Sequence, residues 1–323
     1  MKAVVYTGKG MPDGLALKQV EKPMAGDHEV LIRVRAATVT PSDKGGMAFV
    51  MLSRLFRGFS RQSDAVPGVE FAGVIEEAGN KVRHFKAGDR VYGSAGTSFG
   101  AWAEYILMPG DGVLALMPGG MSFDEAAGIC DGMMTAHHFL VNKAKMEKGQ
   151  NVLINGASGS VGTCAVQLAR LAGCRVTGVC GSAHAELVRS LGAHKVIDYS
   201  KEDFLSSGER YDIVFDTVAK GSFARCKKVL TPYGVYLTTA PSPGIFLAML
   251  LTRIGGGKRA LFSPAGLAKR KVKARALRLI GKLLNEGKLQ AVVDRRYPLE
   301  QIRDALKYVG QGHKKGSVVI APE

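Results

Sequence analysis

Short apolar runs, punctuated by Gly, Pro and Asp, fill the first third of the chain. They predict strands at Lys2–Tyr6, Val30–Thr40, Val69–Ala78, Arg90–Tyr92 and Trp102–Met108. One stretch breaks the pattern. Met47–Phe59 is apolar with two arginines, which predicts a short helix or a mobile flap. The pattern changes near Met121. Ser122 and Glu125 form a capping box that opens a helix. A regular alternation follows, with strands at Asn151–Asn155, Arg175–Cys180, Lys195–Asp198, Asp212–Asp216 and Val235–Thr239. Helices are predicted between them at Val161–Leu171 and Ala183–Leu191. Strands alternating with helical segments mean βαβ units and a parallel sheet. A basic helix, Leu267–Asn285, comes after Pro264. The tail reads as a strand at Ala291–Asp294, a helix at Leu299–Val309 and a strand at Ser317–Ile320. No internal repeat or low-complexity segment interrupts this order.

A length of 323 residues suggests two domains. With 46% apolar and 22% charged residues, the chain reads as a folded globular protein. The opening MKAVVYTGKG has no apolar run of signal-peptide type, and Ile245–Leu251 is too short to span a bilayer. The expected location is therefore cytoplasmic. Cys130, Cys164, Cys174, Cys180 and Cys226 form no CxxC pair and read as reduced, packed thiols. The charge adds a sharper feature. No acidic residue lies between Asp216 and Glu286, and fourteen Lys and Arg residues do, leaving +2 of the net +16 for the rest. Such a field attracts anions: a phosphorylated cofactor, an acidic membrane surface or nucleic acid.

The chemistry centres on Val152–Gly162. An apolar strand runs into Gly156-Ala157-Ser158-Gly159-Ser160-Val161-Gly162, where a helix opens. The spacing Ala157-x-Gly159-x-x-Gly162 is the dinucleotide fingerprint with alanine first. Gly159 lets the backbone approach a pyrophosphate, Gly162 lets helix pack on strand, and the helix N-terminus faces the phosphate charge. In an NAD site an acid about 20 residues on holds the ribose 2′-hydroxyl. Here the second strand ends Cys180-Gly181-Ser182-Ala183-His184, and the first acid is Glu186 inside the next helix. Gly181, Ser182 and His184 leave room and hydrogen-bonding groups for a 2′-phosphate, so NADPH is the expected cofactor. Ser182 can also cap the helix that follows.

Further segments carry a resemblance: Gly68–Ile75, Phe85–Gly93, Gly100–Tyr105, Met134–Ala136, Leu191–Ala193 and Tyr211–Asp216. With the dinucleotide turn, they make the chain resemble the medium-chain dehydrogenase/reductase superfamily, in its zinc-free quinone oxidoreductase-like branch. The resemblance implies an α/β fold: a GroES-like, β-rich catalytic domain plus a Rossmann domain with a doubly wound parallel sheet. The expected boundaries are 1–121 and 266–323 for the catalytic domain and 122–265 for the NADPH-binding domain. It also implies cofactor contacts at Thr135, Gly159, Ser160, Val161, Ser182, His184, Tyr199, Thr217, Val218, Thr239 and Ala240, beside Gly156, Ser158 and Gly181 of the two turns. Where the superfamily places catalytic zinc ligands, this chain has Pro41, Val69 and Asp131, and the four-cysteine structural lobe after Gly93 is missing. A zinc site needs three N or S ligands, so no metal is expected. His137, His138 and Cys130 remain nearby in sequence, but adjacent histidines on a helix point apart.

Without a Lewis acid, acceptors that take hydride readily become the expected substrates: quinones, and enones at the β-carbon. Thr40, Tyr92 and Asp43 are the candidate proton donors, with solvent as an alternative. Thr40 stands where relatives often carry asparagine, and Ser317 where they often carry lysine. Candidate pocket walls are Met47, Phe49, Leu55, Phe56, Phe99, Trp102 and Phe246. Two other functions stay open: a zinc-free NADP-dependent alcohol or aldehyde dehydrogenase, and a nucleic-acid-binding protein regulated by NADPH. The second is disfavoured, because Met249–Lys282 has one aromatic residue, Phe262, on which a base could stack. The apolar stretch within Val235–Leu251 is the expected homodimer interface. Its basic surroundings also raise weak association with anionic membranes.

Overall fold

The computed structural model describes residues 1–7, 11–43, 66–264 and 268–322. The expected helix or flap at Met47–Phe59 lies outside them. Two compact units form, Met1–Cys130 with Lys269–Glu323, and Asp131–Ala268. The division falls inside the helix Phe123–His137 rather than at its capping box, although Ser122 and Glu125 do cap each other, at 2.9 and 3.2 Å. The physical reason is that the first half of this helix is held in the first unit. Asp124 pairs with Arg296 at 3.4 Å, Ser317 Oγ donates to Gly128 O at 2.6 Å, and Cys130 Sγ donates to Gly93 O at 3.4 Å.

The first unit begins with β1 (Lys2–Tyr6) and β2 (Leu15–Gln19), which pair antiparallel. Then come β3 (Glu29–Val39), β4 (Glu70–Ala78), β5 (Arg90–Ser94), β6 (Tyr105–Pro109) and β7 (Val113–Leu116). In β3, Val30, Ile32 and Val34 are buried while Arg33 and Arg35 are exposed, the alternation of a strand covered on one face. The middle of the chain supplies β8 (Asn151–Asn155), β9 (Arg175–Cys180), β10 (Lys195–Asp198), β11 (Tyr211–Asp216), β12 (Leu230–Thr238) and β13 (Arg259–Phe262). The tail returns β14 (Val293–Pro298) and β15 (Ser317–Ala321) to the first unit.

There the sheet runs β14-β15-β3-β4-β5-β7, with β6 also on β3. Its core gathers around Trp102, whose indole is fully buried and donates to Thr38 O at 2.9 Å. Gly68, at φ +89°, leaves the space this ring fills: a Cβ there would come within 2.3 Å of it. The helix Ile302–Gly310 buries Ile302, Ala305, Leu306 and Val309, one face at helical spacing.

The second unit holds a wholly parallel sheet in the order β10-β9-β8-β11-β12-β13. Numbered within the unit, this is 3-2-1-4-5-6, the order of a doubly wound dinucleotide-binding sheet. The order reverses between β8 and β11, so ligands are expected outside the carboxyl ends of those two strands. Both strands are buried apolar runs because helices cover both faces of such a sheet. Among the described residues, no helix is long and apolar enough to cross a membrane.

Candidate active site

At the switch point, β8 ends at Asn155 and the chain turns through Gly156 at φ +80°. A Cβ on Gly156 would lie 2.5 Å from Val218 and 2.6 Å from Thr217 Oγ1. A Cβ on Gly162 would lie 2.0 Å from Gly156 O. Glycine at these two positions is required by the protein's own packing. Gly159 differs. Its φ of −76° and ψ of 176° suit any residue, and a Cβ would find its nearest neighbour at 3.5 Å, an ordinary contact. Nothing inside the protein demands glycine there. A ligand lying against the backbone would, and the site fits a dinucleotide on this observation. Gly159 is also the N-cap of the helix Ser160–Leu171, whose first N–H groups have no acceptor within the helix.

The neighbouring strand ends are tied to this turn. Asp216 is buried at the end of β11 and accepts from Asn155 Nδ2 at 3.0 Å, Gly221 N at 2.7 Å and Tyr236 OH at 3.1 Å. Burial, with the Asp216 charge beside it, pushes the Tyr236 phenol far above its ordinary range. Thr217 Oγ1 donates to Asn155 O at 2.8 Å, and Thr239 Oγ1 donates to Thr217 O at 3.3 Å. The tips of β8, β11 and β12 are thus fixed to one another, which brings Thr217, Val218, Thr239 and Ala240 to one edge of the sheet. Thr135 lies on the helix that passes this turn. Gly132, one turn earlier, permits the approach: its Cβ would fall 2.5 Å from Ser160 O.

At the tip of β9, Gly181 leads into a single turn, Ser182–His184. Tyr199 reaches across from the end of β10. Its N–H donates to Cys180 O at 3.2 Å, its hydroxyl would stand 3.3 Å from a Cβ on Gly181, and the residue is 60% exposed. Glu186 points to solvent and pairs with Arg189. A different carboxylate, Asp198, ends β10 in register with Cys180. Sequence reasoning missed it, because the fingerprint directs attention to the second strand and Asp198 closes the third. No local spacing marks it, because its nearness to Gly181 depends on β10 pairing with β9.

In the first unit, Thr40 follows β3. Its N–H and its hydroxyl both donate to Asp43 Oδ2, at 2.6 and 3.1 Å, and its hydroxyl shares a hydrogen bond with Ser42 Oγ at 2.7 Å. Asp43 is buried and Thr40 is half-buried. Just before them, Thr38 Oγ1 donates to buried Glu70 at 2.9 Å. Tyr92 leaves the set of proton-donor candidates. It is fully buried, its hydroxyl donates to Leu277 O at 3.0 Å on the helix Arg270–Asn285, and burial raises its phenol well above the ordinary range. Trp102, also fully buried, is core rather than pocket wall. Phe99 is half-buried at φ 57°, a conformation rare for an aromatic residue. Met47, Phe49, Leu55 and Phe56 lie outside the described residues.

Pro41 is exposed and Val69 is half-buried on its own unit, while Asp131 accepts from Thr135 Oγ1 at 3.3 Å. His138 Nε2 meets Ser263 Oγ at 2.9 Å, and burial holds His137 below the ordinary imidazole range. Among the described residues, no three His, Cys, Asp or Glu side chains converge on a point that could hold a metal.

Two family models match. The alcohol dehydrogenase GroES-like domain covers residues 26–118, and the model described as zinc-binding dehydrogenase covers 191–320. A chloroplastic quinone oxidoreductase from Triphysaria versicolor is 31% identical over 336 residues, covering 100% of this chain and 98% of its own length. A chloroplastic NADPH-dependent alkenal/one oxidoreductase from Arabidopsis thaliana is also 31% identical over 336 residues, covering 100% of this chain and 80% of its own. Among solved structures, the quinone oxidoreductase from Coxiella burnetii superposes with a TM-score of 0.87 at 26% identity, covering 100% of this chain and 99% of its own.

Proposed function

The chain belongs to the medium-chain dehydrogenase/reductase superfamily, in its zinc-free quinone oxidoreductase-like branch, and we propose that it reduces quinones or enones with NADPH. The observation that carries this reading is Gly159. At the switch point of the parallel sheet, it keeps open a space that the protein itself does not need.

Bound NADPH supplies a hydride, and a proton completes the two-electron reduction of the acceptor. The chain's own residues have defined parts. Gly159 and the N–H groups at Ser160 and Val161 receive the pyrophosphate, with the helix dipole favouring its charge. Gly156 and Ser158 shape that turn. Gly181, Ser182 and His184 receive the 2′-phosphate, with Tyr199 alongside. Thr135, Thr217, Val218, Thr239 and Ala240 hold the rest of the cofactor at the sheet's carboxyl edge. Thr40 is the proton donor in this reading. Its hydroxyl is held by Asp43 and Ser42, and it gives up the Asp43 contact when it donates to the acceptor. Asp43 is the positioning residue: buried, and bonded to both the N–H and the hydroxyl of Thr40. Pro41, Val69 and Asp131 offer no thiolate or imidazole, so the substrate itself must accept hydride readily.

Assembly as a homodimer accompanies this reading. β13 is one of the two outer strands of the parallel sheet, and the helix Pro243–Ile254 beside it exposes Phe246, Leu247, Leu250 and Leu251.

Steady-state turnover with a quinone, an enone and a primary alcohol tests the function. NADPH-dependent turnover of a quinone or an enone is expected, unchanged by chelators, with no stoichiometric zinc by elemental analysis. Oxidation of the alcohol with NADP⁺ and inactivity toward the other two would turn the assignment to an alcohol dehydrogenase.

A further inference from the structure

Asp198 ends β10, and its Cα pairs with that of Cys180 at the end of β9. The turn Ser182–His184 begins just beyond. Parallel neighbours stand about 4.8 Å apart, so the Asp198 carboxylate belongs to the same strand-tip region as Gly181 and Ser182. Its two oxygens differ. Oδ1 accepts from Ser200 N at 3.0 Å and from Ser200 Oγ at 2.7 Å. Oδ2 is buried with no close hydrogen-bond partner, Lys201 Nζ stands 3.8 Å away as a loose ion pair, and the Ser182 side chain also acts on the carboxyl through a hydrogen bond. The Ser200 hydroxyl, followed by the Ser200 amide, holds the carboxyl below the usual range, so it is ionised at neutral pH.

Buried acceptors in folded proteins are ordinarily satisfied. Oδ2 belongs to the strand-tip region proposed above for the nucleotide ribose, and a 2′-hydroxyl bound there is a donor that could complete it. A 2′-phosphate offers no such donor and meets a like charge. We propose that Asp198 determines nucleotide specificity from the third strand, limiting how strongly the site prefers NADPH over NADH. This inference rests on the nucleotide site proposed above. It differs from the familiar arrangement in which the acid ends the second strand. Here the second strand ends without an acid, and Asp198, hydrogen-bonded by the Ser182 side chain, brings one from the neighbouring strand.

The test is equilibrium titration of the full chain with NADPH and with NADH, read by nucleotide fluorescence. D198N keeps an oxygen for the Ser200 contacts and removes the charge. The NADPH-over-NADH affinity ratio should rise roughly tenfold, the scale of relieving one like-charge contact. D198S should move the ratio the same way, and thermal unfolding identifies a variant that fails to fold. A ratio unchanged in the folded variants, while the parent binds nucleotide, overturns the role of Asp198 alone. A parent chain that binds neither nucleotide overturns the site itself.

Discussion

At the scale of single residues, Thr40 and Tyr92 separate a chemical hydroxyl from a structural one. Both are hydroxyl-bearing residues close to strands of the first unit, and the sequence alone gave them equal standing. The structure distinguishes them by what surrounds each oxygen. The Tyr92 hydroxyl lies against a helix, bonded to Leu277 O and 3.2 Å from where a Cβ on Gly281 would be. Thr40 is half-buried, and its hydroxyl belongs to a chain of Ser42, Thr40 and Asp43. Tyr92→Phe should therefore cost about 1 kcal/mol of stability, measured by urea unfolding, and leave kcat unchanged. Thr40→Val takes a donor from buried Asp43 and should cost about 1–3 kcal/mol of stability, and it should lower kcat for an enone on the order of 100-fold, with Thr40→Ser restoring most of both. The reverse pattern would exchange the two roles. Asp198 shows what sequence reasoning could not reach. Its significance depends on β9 and β10 being neighbours in register, and no local spacing encodes that pairing.

Elements were legible in proportion to how much of their identity is local. β8, β9, β10 and β11 stand where the apolar runs predicted them, because a parallel sheet covered on both faces leaves uninterrupted hydrophobic segments. β7 and β13 were missed, being four-residue strands at the ends of their sheets whose existence depends on a partner. The helix Pro243–Ile254 was legible only as an apolar run. Its exposed and partly buried faces are both hydrophobic, so no 3.6-residue alternation marks it, although Ser242 caps Ile245 N at 3.2 Å. The fingerprint turn was legible as a motif that gave Gly159 to the pyrophosphate and Gly162 to packing, and the structure adds Gly156 to the glycines that packing requires. That division is testable. Gly162→Ala forces a Cβ against Gly156 O and should destabilise the fold by about 1–3 kcal/mol. Gly159→Ala meets only an ordinary contact and exchanges one N-cap residue for a poorer one, at about 0.5–1.5 kcal/mol. Its NADPH affinity should nevertheless fall at least about tenfold, or about 1.4 kcal/mol. Thermal unfolding and nucleotide titration on the two variants separate the effects. Equal nucleotide affinity in Gly159→Ala and the parent would remove the strongest support for the cofactor site.

At the scale of the whole molecule, one exposed hydrophobic surface lies in a strongly basic stretch of the chain. Phe246, Leu247, Leu250 and Leu251 are 52, 58, 62 and 67% exposed, at positions that share one helix face. Isolated exposed leucines are ordinary, but a contiguous set beside an unpaired strand edge calls for a partner. A second copy of the chain can supply both needs at once, pairing edge with edge and apolar face with apolar face. The competing occupant is an anionic bilayer. No acidic residue interrupts the fourteen positive charges between Asp216 and Glu286, and each cation near such a surface contributes about 1 kcal/mol. A hydrophobic face held in a dimer is unavailable to lipid, so the two readings predict different behaviour from one protein sample. Light scattering at micromolar concentration should give a dimer, and Leu250→Glu with Leu251→Glu should give a monomer that still binds nucleotide. Vesicles rich in anionic lipid should then leave the parent in the supernatant at physiological salt. A monomeric parent that sediments with those vesicles at low salt, and is released as salt rises, would assign the face to the membrane instead.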